Sequence, residues 1–221
     1  MTYRCFFYDE NAYFFEGMKA SISSLFRETR NVSFSLTDDY EQLIDRTKSR
    51  IEGNQHLWLF CDLDMLPMER FVMLNRMQGC YKHQNKKLVI MLSNHHMPFF
   101  LTIYNLFPQA HWLMKNEKME HIPAFLNGLN QKKANENRFS YSLIDYTRNT
   151  IRSGDVHHLI SCNEWWLIEE ILRGKSLSNI AHQADTDIRK ISYVKRKLMK
   201  RLNIKNNIAL FEKFKWLTPS R

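Results

Sequence analysis

Residues 188 to 205 contain eight lysines and arginines and no acidic residue. If this stretch is helical, Ile188, Ile191, Leu198 and Leu202 form an inward stripe at spacings of three and four, with Val194 and Met199 beside it. Arg189, Ser192, Tyr193, Arg196 and Lys200 then fall on the opposite face. A solvated helix usually interleaves acids with bases, because neighbouring like charges repel. An acid-free face is therefore either a basic surface that tolerates the repulsion or one whose charge a polyanion relieves, and phosphate backbones are the chemistry that fits. The rest of the chain sharpens the contrast. The 221 residues carry +9 in all, but residues 151–221 hold 14 basic against 7 acidic groups and the first 150 hold 18 against 16.

Other residue types offer less. Cys5, Cys61, Cys80 and Cys162 are widely separated, without the spacing of a zinc site, and read as small buried apolar groups. His95 and His96 are adjacent, and adjacent side chains on a strand point to opposite faces, so they are not expected to share a metal. With six glycines the chain has no Gly-rich phosphate loop. Hydrophobic residues at 44% and charged residues at 25% describe a globular chain rather than a disordered one. The first residues lack the pattern of a secretory signal, and the longest apolar-rich stretch, 97–107, is broken by Thr102 and Asn105, so a cytoplasmic protein is expected.

The elements that would position these groups alternate along the first 130 residues. Strand-like runs occur at Tyr3–Tyr8, Val32–Leu36, His56–Cys61, Leu88–Leu92 and His111–Met114. Helical patterns occupy Ala12–Phe26, the stretch through Leu43, Ile44 and Ile51, Glu69–Met77, and Met119–Leu129. The continuous apolar runs are those of strands covered on both faces, so the alternation predicts a doubly wound parallel sheet. From about 131 to 158 the chain turns polar without a sustained period, which marks a linker. Beyond it, Ser161 and Glu164 fit a capping box, Gly174 a helix stop, Ser176 a second cap and Asp187 a third. Two short helices joined by a tight turn, the second strongly basic, make a helix-turn-helix.

At this point residues 160–204 resemble the LuxR/NarL-type DNA-binding domain. The similarity is carried by Ile160-Ser-Cys-Asn-Glu164, Arg173-Gly174, Ser176 with Ile180-Ala181, and the run from Arg189 to Ile204. Arg189-Lys190-Ile191-Ser192 through Lys195-Arg196 looks like the Rcs-type capsule regulators and their auxiliary relatives. The resemblance implies that Arg189, Ser192, Tyr193 and Arg196 meet bases and phosphates in the major groove, with Lys190, Lys197 and Lys200 flanking the backbone. Asn203 stands where the family usually has glycine, and Trp165 and Trp166 stand at family positions that are polar.

Ahead of such a module the α/β segment resembles the receiver of NarL/FixJ-type response regulators. The resemblance implies an acidic pair for Mg²⁺ at Asp9 and Glu10, a phosphate-accepting Asp62 that also binds the metal, switch residues Ser93 and Lys115, and a switch aromatic at Trp112. Carboxylates grouped at strand ends suit a hard, oxygen-seeking cation, and a lysine neutralises an acyl phosphate. Pro67 follows Asp62 by five residues, where receivers commonly have four, and Met97-Pro98-Phe99-Phe100 is bulkier than the usual receiver loop. The expected organisation is a receiver-like α/β domain at 1–130, a linker at 131–155 and a four-helix LuxR-type domain at 156–221. The expected activity is DNA-binding transcription regulation, not catalysis, with duplex DNA and a like or different LuxR-type subunit as partners; no cofactor is required, and Mg²⁺ enters only with an active receiver site. A second reading takes Asp62-Leu63-Asp64 as the nucleophile motif of a haloacid-dehalogenase-like phosphatase. Against it, Leu66 stands where that motif has Thr or Val, and no later acidic pair follows.

Overall fold

The computed structural model describes residues 2–26, 31–51, 53–66, 74, 76–77, 85–131, 138–153 and 160–217. Strands β1 (Thr2–Tyr8), β2 (Asn31–Thr37), β3 (Gln55–Asp62), β4 (Lys86–Leu92) and β5 (His111–Met114) form a parallel sheet in the order β2-β1-β3-β4-β5. Helices α1 (Ala12–Leu25), α2 (Tyr40–Lys48), α3 (Phe100–Leu106) and α4 (Ile122–Asn130) cover it. The two faces follow from the period of two along each strand. Phe6, Tyr8, Leu59, Cys61 and Ile90 pack on the side of α2 and α3, while Cys5, Phe7, Trp58, Phe60 and Met91 pack on the side of α1 and α4. β3 and β4 are buried along nearly their whole length, as their apolar runs require, whereas the edge strand β2 alternates between covered and open positions. Most of the expected Glu69–Met77 helix, and Pro67, lie outside the described residues.

The far edge of the sheet is closed by the chain itself. Trp112 N–H donates to the Arg138 carbonyl at 2.8 Å and Ser140 N–H donates to the Trp112 carbonyl at 2.8 Å, so residues 138–140 add a short parallel bridge to β5. A helix follows at once, α5 (Tyr141–Ser153), inside the segment expected to be an irregular linker. Leu143 is fully buried against the core of Phe100 and Trp112, while Tyr141, Ile144 and Tyr146 stand exposed. The buried carboxylate of Glu117 caps it by accepting the Ser142 N–H and hydroxyl, both at 2.8 Å. These bonds hold the Glu117 pKa below its usual value despite burial.

Helices α6 (Cys162–Leu172), α7 (Leu177–Gln183), α8 (Ile188–Arg201) and α9 (Asn207–Phe214) complete the chain. The capping box of Ser161 and Glu164 is formed, and Ser176, Asp187 and Asn206 each accept a backbone N–H at the next three starts. Gly174 (φ 78°) ends α6 in the left-handed region, and Asn203 (φ 54°), in the place where the resembled family has glycine, does the same after α8. Arg201 pairs with Glu164 at 2.7 Å, tying the end of α8 to the start of α6.

The two halves share one apolar core. A 3₁₀ segment, Asn94–Phe99, leads from β4 into α3. It buries Phe99 against Trp165 (4.7 Å between rings) and Phe214 (5.9 Å). The Thr102 hydroxyl donates to the Ile160 carbonyl across the same seam. The bulky 97–100 run and the apolar Trp165, two departures from the resembled families, are thus each other's packing partners. Trp165 is fully buried and Trp166 half-buried.

Candidate nucleic-acid interface and carboxylate pocket

Along α8 the inward stripe consists of Ile191, Leu198 and, just past its end, Leu202, all buried. Ile188 does not belong to it: it follows the Asp187 cap directly, before the helix reaches the core, and is 44% exposed. On the outer side Arg189, Lys190, Arg196, Lys197 and Lys200 are exposed, Tyr193 is 60% exposed and Ser192 is half-buried. Asp187, the one acid at the helix start, is spent on the cap, its Oδ1 accepting the Arg189 N–H at 2.6 Å. Among the described residues, Arg201 is the one α8 cation paired with a carboxylate. Arg189, Lys190, Arg196, Lys197 and Lys200 remain without one. The face presents guanidinium and ammonium donors around an exposed tyrosine, the donor set that binds phosphate oxygens and base edges.

At the C-terminal ends of the strands the arrangement is opposite. Asp9 and Asp62 are both 1% exposed, and Lys115, just past β5, reaches both: 2.5 Å to Asp62 Oδ2 and 3.2 Å to Asp9. Asp62 Oδ1 accepts the Asp64 N–H at 3.0 Å and Asp9 Oδ1 accepts the Asn11 N–H at 2.8 Å. Burial pushes the Asp62 carboxyl up to about 6, an effect that the Lys115 charge and hydrogen bond only partly offset. Burial lowers the Lys115 pKa, but Asp62 and Asp9 outweigh it and hold the ammonium above its usual value. Asp9 Oδ2 is buried, with the Lys115 ammonium 3.2 Å away. Two converging buried carboxylates are a donor set that fits Mg²⁺, which commonly takes one or two protein carboxylates and keeps waters. Glu10 is exposed and pairs with none of these groups.

Ser93 and Trp112 are placed differently from Lys115. Ser93 Oγ donates to Asp64 Oδ2 at 2.7 Å, not to Asp62. Trp112 is fully buried, with Phe100 edge-on at 5.3 Å and Tyr104 at 6.0 Å. The histidine pair departs from expectation, because 95 and 96 lie in the 3₁₀ segment and not on a strand. Both rings turn to Asp64, His95 Nε2 at 2.6 Å and His96 Nε2 at 3.2 Å from Oδ1. His96 Nδ1 accepts the Ser93 N–H at 2.9 Å, so its proton sits on Nε2 and faces the carboxylate. Despite burial, these donors hold Asp64 well below the usual carboxylate range. Asp64, which the phosphatase reading would make an acid catalyst, is a carboxylate clamp joining the ends of β3 and β4. The sequence signal for this group was the Asp64 and His95-His96 pattern, hidden by the strand assumption.

No protein-family model matches the chain, and no curated protein sequence matches it. Among solved structures, RcsB from Salmonella enterica serovar Typhimurium bound to promoter P1flhDC in the presence of phosphomimetic BeF3⁻ is similar over 99% of both chains, at 20% identity and a TM-score of 0.59. RcsB from the same organism bound to promoter rprA is similar over 99% of this chain and 100% of that one, at 18% identity and a TM-score of 0.54. A structure of two RcsB dimers bound to two parallel DNAs is similar over 99% of both chains, at 17% identity and a TM-score of 0.53. None of these comparisons supports a phosphatase. Along its whole length, the chain has the fold of a full-length response regulator of the RcsB kind, a receiver-like sheet followed by a helix-turn-helix module.

Proposed function

We propose that this protein is a DNA-binding transcription regulator that reads duplex DNA by laying α8 in the major groove. The observation that carries the reading is the exposed, acid-free face of α8, where Arg189, Lys190, Arg196, Lys197 and Lys200 have no carboxylate partner among the described residues. Arg189, Ser192, Tyr193 and Arg196 meet bases and phosphates in the groove, and Lys190, Lys197 and Lys200 flank the backbone. A single helix-turn-helix contacts too few base pairs for tight binding, so the working form is a dimer, of two copies or with another regulator of the same type. The solved neighbours bound to promoters, and one with two dimers, support both parts.

The strand-end pocket serves as the input site in this reading. Asp62 is the phosphoryl acceptor, and its raised pKa of about 6 leaves it ionised at neutral pH and a better nucleophile than an ordinary aspartate. Asp9 and Asp62 would hold Mg²⁺, which supplies positive charge to an entering phosphoryl oxygen. Lys115 holds both carboxylates in place and neutralises the charge that accumulates on the acceptor.

Affinity for promoter-length duplex DNA, measured against salt, tests the DNA reading. The expected result is a steep linear fall of log affinity with log salt between about 50 and about 200 mM; a flat line would overturn it. Acetyl phosphate with Mg²⁺ tests the pocket: a label on wild type that is lost in Asp62→Asn is expected. No label on wild type would remove the acceptor role and leave the DNA reading standing.

A further inference from the structure

An apolar groove of about 520 Å³ runs between α3 and α5, walled by Phe100, Tyr104, Phe139, Leu143 and Ile144. Tyr104 is central, with Phe100 and Phe139 each 6.1 Å from it, and Trp112 lies against both Phe100 and Tyr104. Its volume falls in the range of small-molecule sites. The α5 wall changes character along its length. Ile144, Arg148 and Arg152 recur every four residues and so share one face of the helix, apolar first and basic afterwards. Both arginines are exposed, and among the described residues no carboxylate pairs with either, Asp145 included. The groove therefore has apolar walls with two exposed cations at its rim.

We propose that this groove binds a small amphiphilic carboxylate, its aliphatic or aromatic body among Phe100, Tyr104 and Phe139 and its head on Arg148 and Arg152. Charge complementarity selects the head: a guanidinium pair takes a carboxylate with two parallel hydrogen bonds and repels a cation. The wall selects the size. α3 has seven residues and is about 10 Å long, so a partner's long helix would overhang it. Such a ligand spans the groove between the α/β body and the helix that leads into the helical half. α3 also carries the Thr102 hydrogen bond to Ile160 across the seam, so an occupant would tighten α5 beside that contact. The proposal is independent of the DNA reading and survives its failure.

The test uses the full-length protein with dodecanoate below its micelle concentration, followed by calorimetry and tryptophan fluorescence. Dodecanol, dodecyltrimethylammonium and acetate are run in parallel. Saturable one-to-one binding of dodecanoate is expected, with dodecanol at least about tenfold weaker, because a hydrogen bond to a charged group contributes about 1.5–3 kcal/mol and 1.4 kcal/mol is tenfold. Acetate and the cationic chain should not bind. The double variant Arg148→Ala/Arg152→Ala should lose at least about tenfold for dodecanoate and nothing for dodecanol. Thr147 also lines the groove, and Thr147→Trp, which fills it, should abolish both while far-ultraviolet circular dichroism stays unchanged. Unsaturable dodecanoate uptake, equal binding of the cationic chain, or an arginine variant that binds dodecanoate as wild type does would each overturn the proposal. Adsorption to phosphatidylglycerol vesicles without dodecanoate binding would assign the face to a lipid surface and overturn it equally.

Discussion

Lys115 and the cations of α8 are the same chemistry in opposite circumstances. Lys115 sits between two buried carboxylates and is neutralised by its own protein, whereas Arg189, Lys190, Arg196, Lys197 and Lys200 stand exposed with no carboxylate partner among the described residues. The difference separates two uses of charge. A neutralised buried cation holds a site together and sets the proton affinity of its neighbours; an unneutralised exposed row stores repulsion that only an outside anion removes. Total charge could not make this distinction. Its distribution could, because nearly all of the excess lies in the helical half.

The comparison breaks first at the seam joining the two regions. Trp165→Ala removes a fully buried ring that packs on Phe99, and unfolding in denaturant should show a loss of about 3–5 kcal/mol. Together with Phe214, this contact joins the two halves in one apolar core. If the variant instead shows two separate transitions, with the α/β half unaltered, the shared core contributes nothing to that half.

The pocket side is sharpened by pH. The Asp62 carboxyl titrates at about 6 in the folded protein and near 3.8 when unfolded, so its protonated form is favoured by folding. Its contribution to stability is fully present below about pH 3.8 and is lost as the pH rises through about 6. Asp62→Asn resembles the protonated form at every pH. The stability difference between variant and wild type should therefore move in the variant's favour by about 1–3 kcal/mol between pH 4 and pH 7.5. Equal differences at the two pH values would show that burial does not dominate at Asp62.

How far the sequence disclosed this depended on whether a feature is local. Strand positions followed from apolar runs, and the helix starts at Ser161, Ser176 and Asp187 from capping chemistry within four residues. The left-handed turn at Asn203 was equally local. The remaining features are non-local. The α5 helix hides because Phe100 and Trp112, the groups that bury its Leu143, lie on distant elements. The Asp64, His95 and His96 group forms because a 3₁₀ turn, not a strand, follows β4. Periodicity alone puts Ile188 inside, although the helix has not yet reached the core at its first residue. Phe99 and Trp165 read as separate departures because nothing along the chain reveals that two residues 66 positions apart meet.

The central claim is that the α8 face binds phosphates and bases, and its most direct test compares two exposed arginines. Duplex affinity against salt is measured for wild type, for Arg196→Ala on α8 and for Arg46→Ala on α2. Arg196→Ala should weaken binding and flatten the salt slope by about one, the value for one lost phosphate contact, while Arg46→Ala leaves the slope as it is. An unchanged slope for Arg196→Ala, or an equal change for both variants, would contradict the assignment of α8 as the DNA-reading surface.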